Sequence, residues 1–286
     1  MHKAIITSAS NKFFPSLINM LGSLNVNYPN HPPIFIYNLG LSFMFRQELR
    51  QIEGVILLDI PHFVPHWRVC YTWKTYIFVN PLAELNLYLD AGTQILRPLN
   101  EMFDVIDKDG YFAVHQGVKN KEIIPSDYTE KFDVQNSTLE DYSITAGIFG
   151  FKKNGSVSHQ LEDMHEASKE GYCLGFSQEE IWKNKGVNKT EFIRDCPKFR
   201  HDTTLLSIFL RKDNLDFRAH EALMYAGWMS PHDHKNQAIW NVRMNYKTLD
   251  FLTPHILHKN FSFISYINRI YIYAFLLVRQ LRSAFK

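Results

Sequence analysis

Apolar and polar residues follow two rhythms along the first ninety residues. Short contiguous apolar runs occur at 4–7, 34–38, 54–60 and 85–89. Between them, over 14–24, 42–51 and 67–78, apolar residues recur at three- and four-residue intervals. The first pattern predicts buried strands and the second predicts helices. Pro29, Pro32 and Pro33 mark a loop before the second strand, Gly40 punctuates its end and Pro61 closes the third. Strands alternating with helices at this spacing predict an α/β protein with a mainly parallel sheet and helices on both faces. In such sheets ligands sit beyond the carboxyl ends of the strands, which singles out Thr7, Ser8, Asp59 and Asp90.

After Asp90 the rhythm loosens. A short helix is expected at 98–106 and a strand at 110–114, followed by a polar surface excursion over 116–141. The glycine-containing apolar run at 144–152, TAGIFGFKK within it, predicts another strand. Helices are expected at 157–169 and 203–210, and few clear elements between 217 and 245.

The chain of 286 residues is long enough for one large α/β domain or two small ones. A net charge of only +2 gives no case for a nucleic-acid partner. Cys70, Cys173 and Cys196 form no CxxC pair, which argues against a disulfide framework or a cysteine zinc site and for a reducing compartment. The N-terminal MHKAIITSASNKFF lacks the long apolar core of a signal peptide, so a cytoplasmic location is expected.

The candidate chemistry centres on LYLDAGTQILRPLNEMF. An apolar strand delivers Asp90 into a turn made of Ala91 and Gly92. A carboxylate at a strand's carboxyl end followed by small residues leaves room for a polyanion and its metal. Taken alone, Asp-Ala-Gly equally suits a turn cap. His232 and His234 in PHDHK are two residues apart, so an extended backbone points both the same way, within reach of one ion. Asp202 precedes a helical run and suits an N-cap.

In order and spacing, residues 1–235 resemble glycosyltransferases of the GT-A fold, a Rossmann-like sandwich, and especially the glycogenin and lipopolysaccharide-galactosyltransferase group. LYLDAGTQILRPLNEMF is similar to that group's D-x-D strand and following helix, WKTYIF to the preceding helix, TAGIFGFKK to the small-residue strand lining the sugar pocket, and RHDTTLLSIFL to the D-Q-x-x-L-N helix. The resemblance implies a nucleotide-sugar donor, UDP-linked, and a glycan or glycolipid acceptor. It implies that Thr7 and Ser8 hold the nucleotide base, that Lys74 meets the nucleotide, and that Asp90, Ala91 and Gly92 face the diphosphate. Ala146 and Gly147 would line the sugar pocket. Asp202 would stand beside the transferred sugar, and in an inverting enzyme it is the first candidate for the base that accepts the acceptor's proton. Gly92 stands where the family has its second aspartate. Three outcomes stay open: Mn²⁺ or Mg²⁺ held by Asp90 with His234, phosphate charge carried by Lys74 or Arg97 without a metal, or an inactive site. A non-catalytic sugar-binding protein of the same fold is the reading from another class. A nucleotidyltransferase ranks lower because TSASNKFFP has no glycine, and a dehydrogenase because no GxGxxG follows the first strand.

The domain expectation is a catalytic domain at 1–250 and an amphipathic C-terminal tail at 251–286. Past Asp250 the chain has no acidic residue, while Lys259, Arg269, Arg279, Arg282 and Lys286 all lie there. The central run at 270–278 is too short to span a bilayer. Aromatic and basic residues around it favour a helix lying in a membrane interface over one docked on the domain.

Overall fold

The computed structural model describes residues 1–174, 196, 198–212, 225–226, 237–241 and 263–284. Two compact units are drawn from interleaved stretches of chain. The first comprises 3–59, 88–102 and 222–286, and the second comprises 1–2, 60–87 and 103–221. The strands are β1 (Lys3–Ala9), β2 (Ile34–Asn38), β3 (Val55–Asp59), β4 (Leu85–Leu89), β5 (Thr93–Ile95), β6 (Tyr111–Lys119), β7 (Tyr142–Lys152), β8 (Tyr225–Ala226) and β9 (Ile239–Asn241). A six-stranded sheet runs in the order β3-β2-β1-β4-β7-β6, and a small sheet in the order β5-β9-β8. The expected α/β class is what the chain adopts.

In the first unit, β1, β2 and β3 pair in parallel, and the register aligns Ala9 with Asn38 and Asn38 with Asp59. All of β1 except Lys3 is buried, as a parallel strand covered on both faces requires. Helix α1 (Phe14–Asn27) begins with Pro15 in its first turn and buries every residue from Phe14 to Leu24. Helix α2 (Phe43–Gln51) is capped by Ser42, whose hydroxyl accepts from the Phe45 amide, and Phe45 stacks on Phe14 at 3.8 Å.

The second unit contains α3 (Thr72–Val79), α5 (Ser126–Lys131), α6 (Asn136–Glu140), α7 (Ser158–Lys169) and α8 (Asp202–Phe209); α4 (Asn100–Asp109) precedes β6. Two sequence expectations change here. The helix expected at 67–78 begins only at Thr72, because Cys70 and Tyr71 adopt left-handed backbone angles. The excursion expected at 116–141 is ordered: β6 continues to Lys119, and two short helices follow. Asn120 organises this segment, its amide donating to the Thr138 carbonyl. Local polarity hid the order, since the helices are too short to show a period.

Packing of α3 on α7 rests on a hydroxyl cluster. The Thr75 hydroxyl lies 2.9 Å from the Thr72 carbonyl, 2.9 Å from His165 Nδ1 and 2.6 Å from the Ser168 hydroxyl. His66 adds a contact at 2.9 Å to the Ser168 carbonyl.

The last helix, α9 (Phe263–Ala284), packs on α2 within the first unit. Ser265, Asn268 and Ile272, at helical spacing, form the buried stripe. Asn268 donates to the Met44 carbonyl at 3.2 Å and to Glu48 at 3.5 Å. Tyr271 meets Phe45 edge-on. The docked arrangement, set below the interfacial one in the sequence analysis, is therefore present, yet Phe263, Ile270, Tyr273, Leu277 and Leu281 remain exposed. No helix among the described residues is long and apolar enough to cross a membrane.

Two outcomes test this packing. A Cβ on Gly150 would lie 2.4 Å from Ile106 Cδ1 and 2.8 Å from Phe112 Cβ, so Gly150→Ala is expected to cost about 1–3 kcal/mol in denaturant unfolding. Burial holds the His165 imidazole below its ordinary value of 6.5, against the pull of Glu166. A depressed histidine contributes its full stability above the unfolded value and loses it as pH falls through the folded one. The wild-type Tm is therefore expected to drop by a few degrees between about pH 7.5 and about pH 5.5, and His165→Asn to flatten that drop; an unchanged pH profile in the variant removes the assignment.

Candidate functional site

The first unit carries a hydroxyl relay at the strand ends. Ser8 on β1 and Tyr88 on β4 lie 2.9 Å apart, oxygen to oxygen. The Tyr88 hydroxyl donates to Asp90 Oδ1 at 3.0 Å, which leaves Ser8 as donor to Tyr88. Tyr88 and Asp90 are two residues apart and point to the same side of the strand, and Tyr88 is fully buried. Asp90 therefore stands at the end of a rigid strand with one oxygen fixed. Its carbonyl accepts from the Thr93 amide, closing the turn that contains Ala91 and Gly92, both buried.

Thr7 and Ser8, expected to hold the nucleotide base, both belong to β1. The Thr7 hydroxyl is buried and has no hydrogen-bond partner among the described residues. Along the same edge Asn38 donates to Asp59 at 2.8 Å while its carbonyl oxygen accepts from the amides of Gly40 and Leu41. Arg97, a candidate for phosphate, instead holds Glu101 one helical turn on.

The second unit carries a buried ion pair. Lys74 Nζ lies 2.8 Å from Asp202 Oδ2, with side-chain exposures of 3% and 7%. Lys74 also donates to the Ala146 carbonyl at 3.0 Å and sits 5.2 Å from the centroid of Tyr71. Two charges this deep persist only as a pair, and removing one partner typically costs about 3–5 kcal/mol.

The β6–β7 ladder is irregular beside this pair. The antiparallel register steps from Ala113↔Phe149 to His115↔Ile144, and the small residues Thr145, Ala146 and Gly147 fall in the step. Helix α8 holds the same stretch of β7: the Ile144 amide donates to Ser207 and the Ala146 amide to Thr203. Three sequence-predicted residues, Lys74, Ala146 and Asp202, thus meet in one cluster. Gly147 follows on the same strand, its amide turned onto the Thr145 hydroxyl.

The N-cap expected at Asp202 is one residue out. His201 occupies the cap with φ of 51° and no side-chain cap bond, and Asp202 is the first helical residue, its carboxylate committed to Lys74. His201 Nδ1 lies 2.8 Å from the Cys173 carbonyl, which assigns the proton to Nδ1. Burial pushes the Cys173 thiol well above its ordinary range, and the Asp202 carboxylate adds to it, so this cysteine is inert packing. Asp141 is engaged with Arg211, which donates to its Oδ2 from two nitrogens. Partial burial opposes ionisation there, but the Arg211 bonds and the Tyr142 amide outweigh it and hold the carboxyl below its usual value.

Sequence reading missed Tyr88, Thr203 and Ser207. For Tyr88 the signal was present, a hydroxyl two residues before Asp90 on a strand otherwise made of leucines and Asn86. For the other two none was, because their partners are backbone amides beside a register break. His234 and His232 lie outside the described residues, as do Trp182 and Trp228. Among the described residues no group of three or more His, Cys, Asp or Glu is arranged to hold a metal ion.

No family model matches the chain, and no curated protein matches it in sequence. Solved structures do. The chain is similar to the apo form of the bifunctional glycosyltransferase WbbM, at 11% identity over 85% of this chain and 46% of that one, with a TM-score of 0.55. It is similar to an active-site mutant of LgtC at 13% identity, covering 83% of this chain and 86% of that one, with a TM-score of 0.50. Mouse xyloside xylosyltransferase 1, in its apo form, is similar at 10% identity over 85% and 98%, with a TM-score of 0.49. At such identities likeness is one of fold. The sheet order and the first two of these similarities give the chain the fold of GT-A glycosyltransferases, an α/β sandwich on a mainly parallel sheet with a helix at its C-terminus.

Proposed function

We propose that the chain is a glycosyltransferase of the hexosyltransferase type. It moves a sugar from a UDP-linked nucleotide-diphospho-sugar to a hydroxyl of a polysaccharide or lipopolysaccharide acceptor. The observation that carries this reading is the Ser8–Tyr88–Asp90 relay, which fixes a carboxylate just past the carboxyl end of a buried strand. Such a position suits a diphosphate that brings a divalent cation with it. Thr7, with its buried hydroxyl, and Ser8 serve the nucleotide, and Asp90, Ala91 and Gly92 the diphosphate. Lys74 supplies positive charge for the phosphate leaving group, where a fixed ammonium acts most strongly in a dry setting. Ala146 and Gly147 line the sugar pocket. Asp202 holds Lys74 with one oxygen, so its first role is to orient the ammonium and a sugar hydroxyl; proton acceptance from the acceptor belongs to it only in an inverting reaction.

A divalent cation, Mn²⁺ or Mg²⁺, belongs to the same reading, with Asp90 as one ligand and His234 as another. The described residues alone do not make that site: Gly92 offers no side chain, and no group of three or more His, Cys, Asp or Glu among them is arranged to hold a metal ion. No step is assigned to the cation. Gly92 is also the observation that favours a second reading, a non-catalytic protein of this fold that binds sugar or nucleotide.

The exposed apolar side of α9, with the basic residues of its sequence, suits attachment to an anionic membrane surface, on the cytoplasmic face where a lipid-linked glycan is extended.

Two measurements test these assignments. A panel of UDP- and GDP-sugars, read by nucleoside diphosphate release, is expected to yield at least one donor. Asp90→Asn should lower its turnover by about a hundredfold or more, and Tyr88→Phe by about tenfold through the lost hydrogen bond. Full turnover in Asp90→Asn sinks the site; nucleotide binding without release in any arm selects the second reading. In flotation, the protein is expected to rise with phosphatidylglycerol vesicles and not with phosphatidylcholine alone. Replacing the exposed Ile270 and Leu277 by Asp should abolish this, and wild-type protein left unfloated on anionic vesicles removes the membrane assignment.

A further inference from the structure

Two helices of the second unit start without the residues that ordinarily start helices. Tyr71 occupies the N-cap of α3 and His201 that of α8, and neither makes a side-chain cap bond. Both have positive φ, 65° and 51°, and Cys70 before Tyr71 has 50°. Left-handed backbone at a non-glycine residue is strained, and a missing cap leaves a helix amide without its usual side-chain acceptor. The fold bears these costs at two places that meet: the rings of Tyr71 and His201 lie 5.9 Å apart.

The two rings belong to a larger surface. Trp73 lies 5.3 Å from Tyr71, and Phe199 lies 5.2 Å from His201. None of the four is buried, and Tyr71 is 43% exposed, unusual for so large a ring. Lys74 covers one side of Tyr71 and is itself neutralised by Asp202. Arg200, between Phe199 and His201, is exposed. The surface is thus a set of tilted aromatic rings, Tyr71 the most exposed, with the exposed Arg200 next to His201 in the chain.

We infer that Tyr71, Trp73 and His201 form a stacking surface for a pyranose ring of the acceptor glycan. It rests on the glycosyl-transfer reading above and names the side of the reaction that the Asp90 relay does not serve. A sugar ring presents an apolar C–H face, which the exposed aromatic rings complement. A nucleotide base also stacks on aromatic rings, and competition between uridine monophosphate and free glycoside separates the two occupants. The strained backbone is the means of placement. A right-handed helix start at position 71 would send the side chain elsewhere, so removing the ring should relieve strain rather than create it.

That consequence separates a binding role from a structural one. The test uses the full chain without nucleotide sugar, and saturation-transfer NMR from protein aromatic protons to four probes: the methyl glycosides of glucose, galactose, mannose and N-acetylglucosamine. At least one is expected to receive saturation on its ring protons. Tyr71→Gly, suited to positive φ, should weaken that glycoside at least about tenfold while its Tm stays at or above wild type. Tyr71→Phe should retain the binding. Saturation of none of the four, or unchanged affinity in Tyr71→Gly, overturns the proposal, as does stronger competition by uridine monophosphate than by free glycoside. Because no donor is present, the outcome is independent of the donor screen. Binding through Tyr71 with an empty donor screen fails the transferase reading alone, and donor turnover without glycoside contact fails this surface alone.

Discussion

A lysine and an aspartate almost wholly removed from water can stay charged only in each other's company. Lys74 and Asp202 are such a pair, and much of the second unit is arranged around keeping them together. The ammonium needs a second acceptor and takes the Ala146 carbonyl. That carbonyl lies where β7 slips out of register with β6, and α8 holds the same stretch by accepting from the Ile144 and Ala146 amides with Ser207 and Thr203. Each element therefore depends on the next: an unmet amide or an unmet charge would cost more than the local irregularity does. The small residues of TAGI follow from the same requirement, since a slipped strand beside a helix has little room for side chains.

The first unit solves a different problem. Its carboxylate stands at the end of a strand and is fixed by a neutral group: Tyr88 donates one hydrogen bond to Asp90, and Ser8 fixes Tyr88 in turn. Asp202, by contrast, is held by an ammonium.

The periodicity of the chain was enough to read the α/β class, the strands β1 to β4 and most helices, because long apolar periods report burial directly. Asp90 was legible because a turn of Asp-Ala-Gly after an apolar strand is a local feature. Lys74, Ala146 and Asp202 were legible one at a time through the ordered resemblance of their segments, but nothing in a linear sequence pairs positions 74 and 202. Helix starts were read least well. Sequence rules expect Ser, Thr, Asp or Asn at a cap, and here α3 and α8 begin on Tyr71 and His201, so the start of α3 was placed too early and Asp202 was taken for a cap.

By itself, then, the sequence determined the α/β class, the strands β1 to β4 and most helices, which residues carry charge and hydroxyl groups, and that a single carboxylate precedes the turn at Gly92. Only the tertiary structure decided what those groups hold: that Asp202 is spent on Lys74, that Asp90 is steadied by Tyr88, that α9 lies on α2 by one stripe and shows its other side. The reason is that local pattern reports burial and backbone preference, whereas a partnership between side chains is set by sheet order and register, which join residues far apart in the chain.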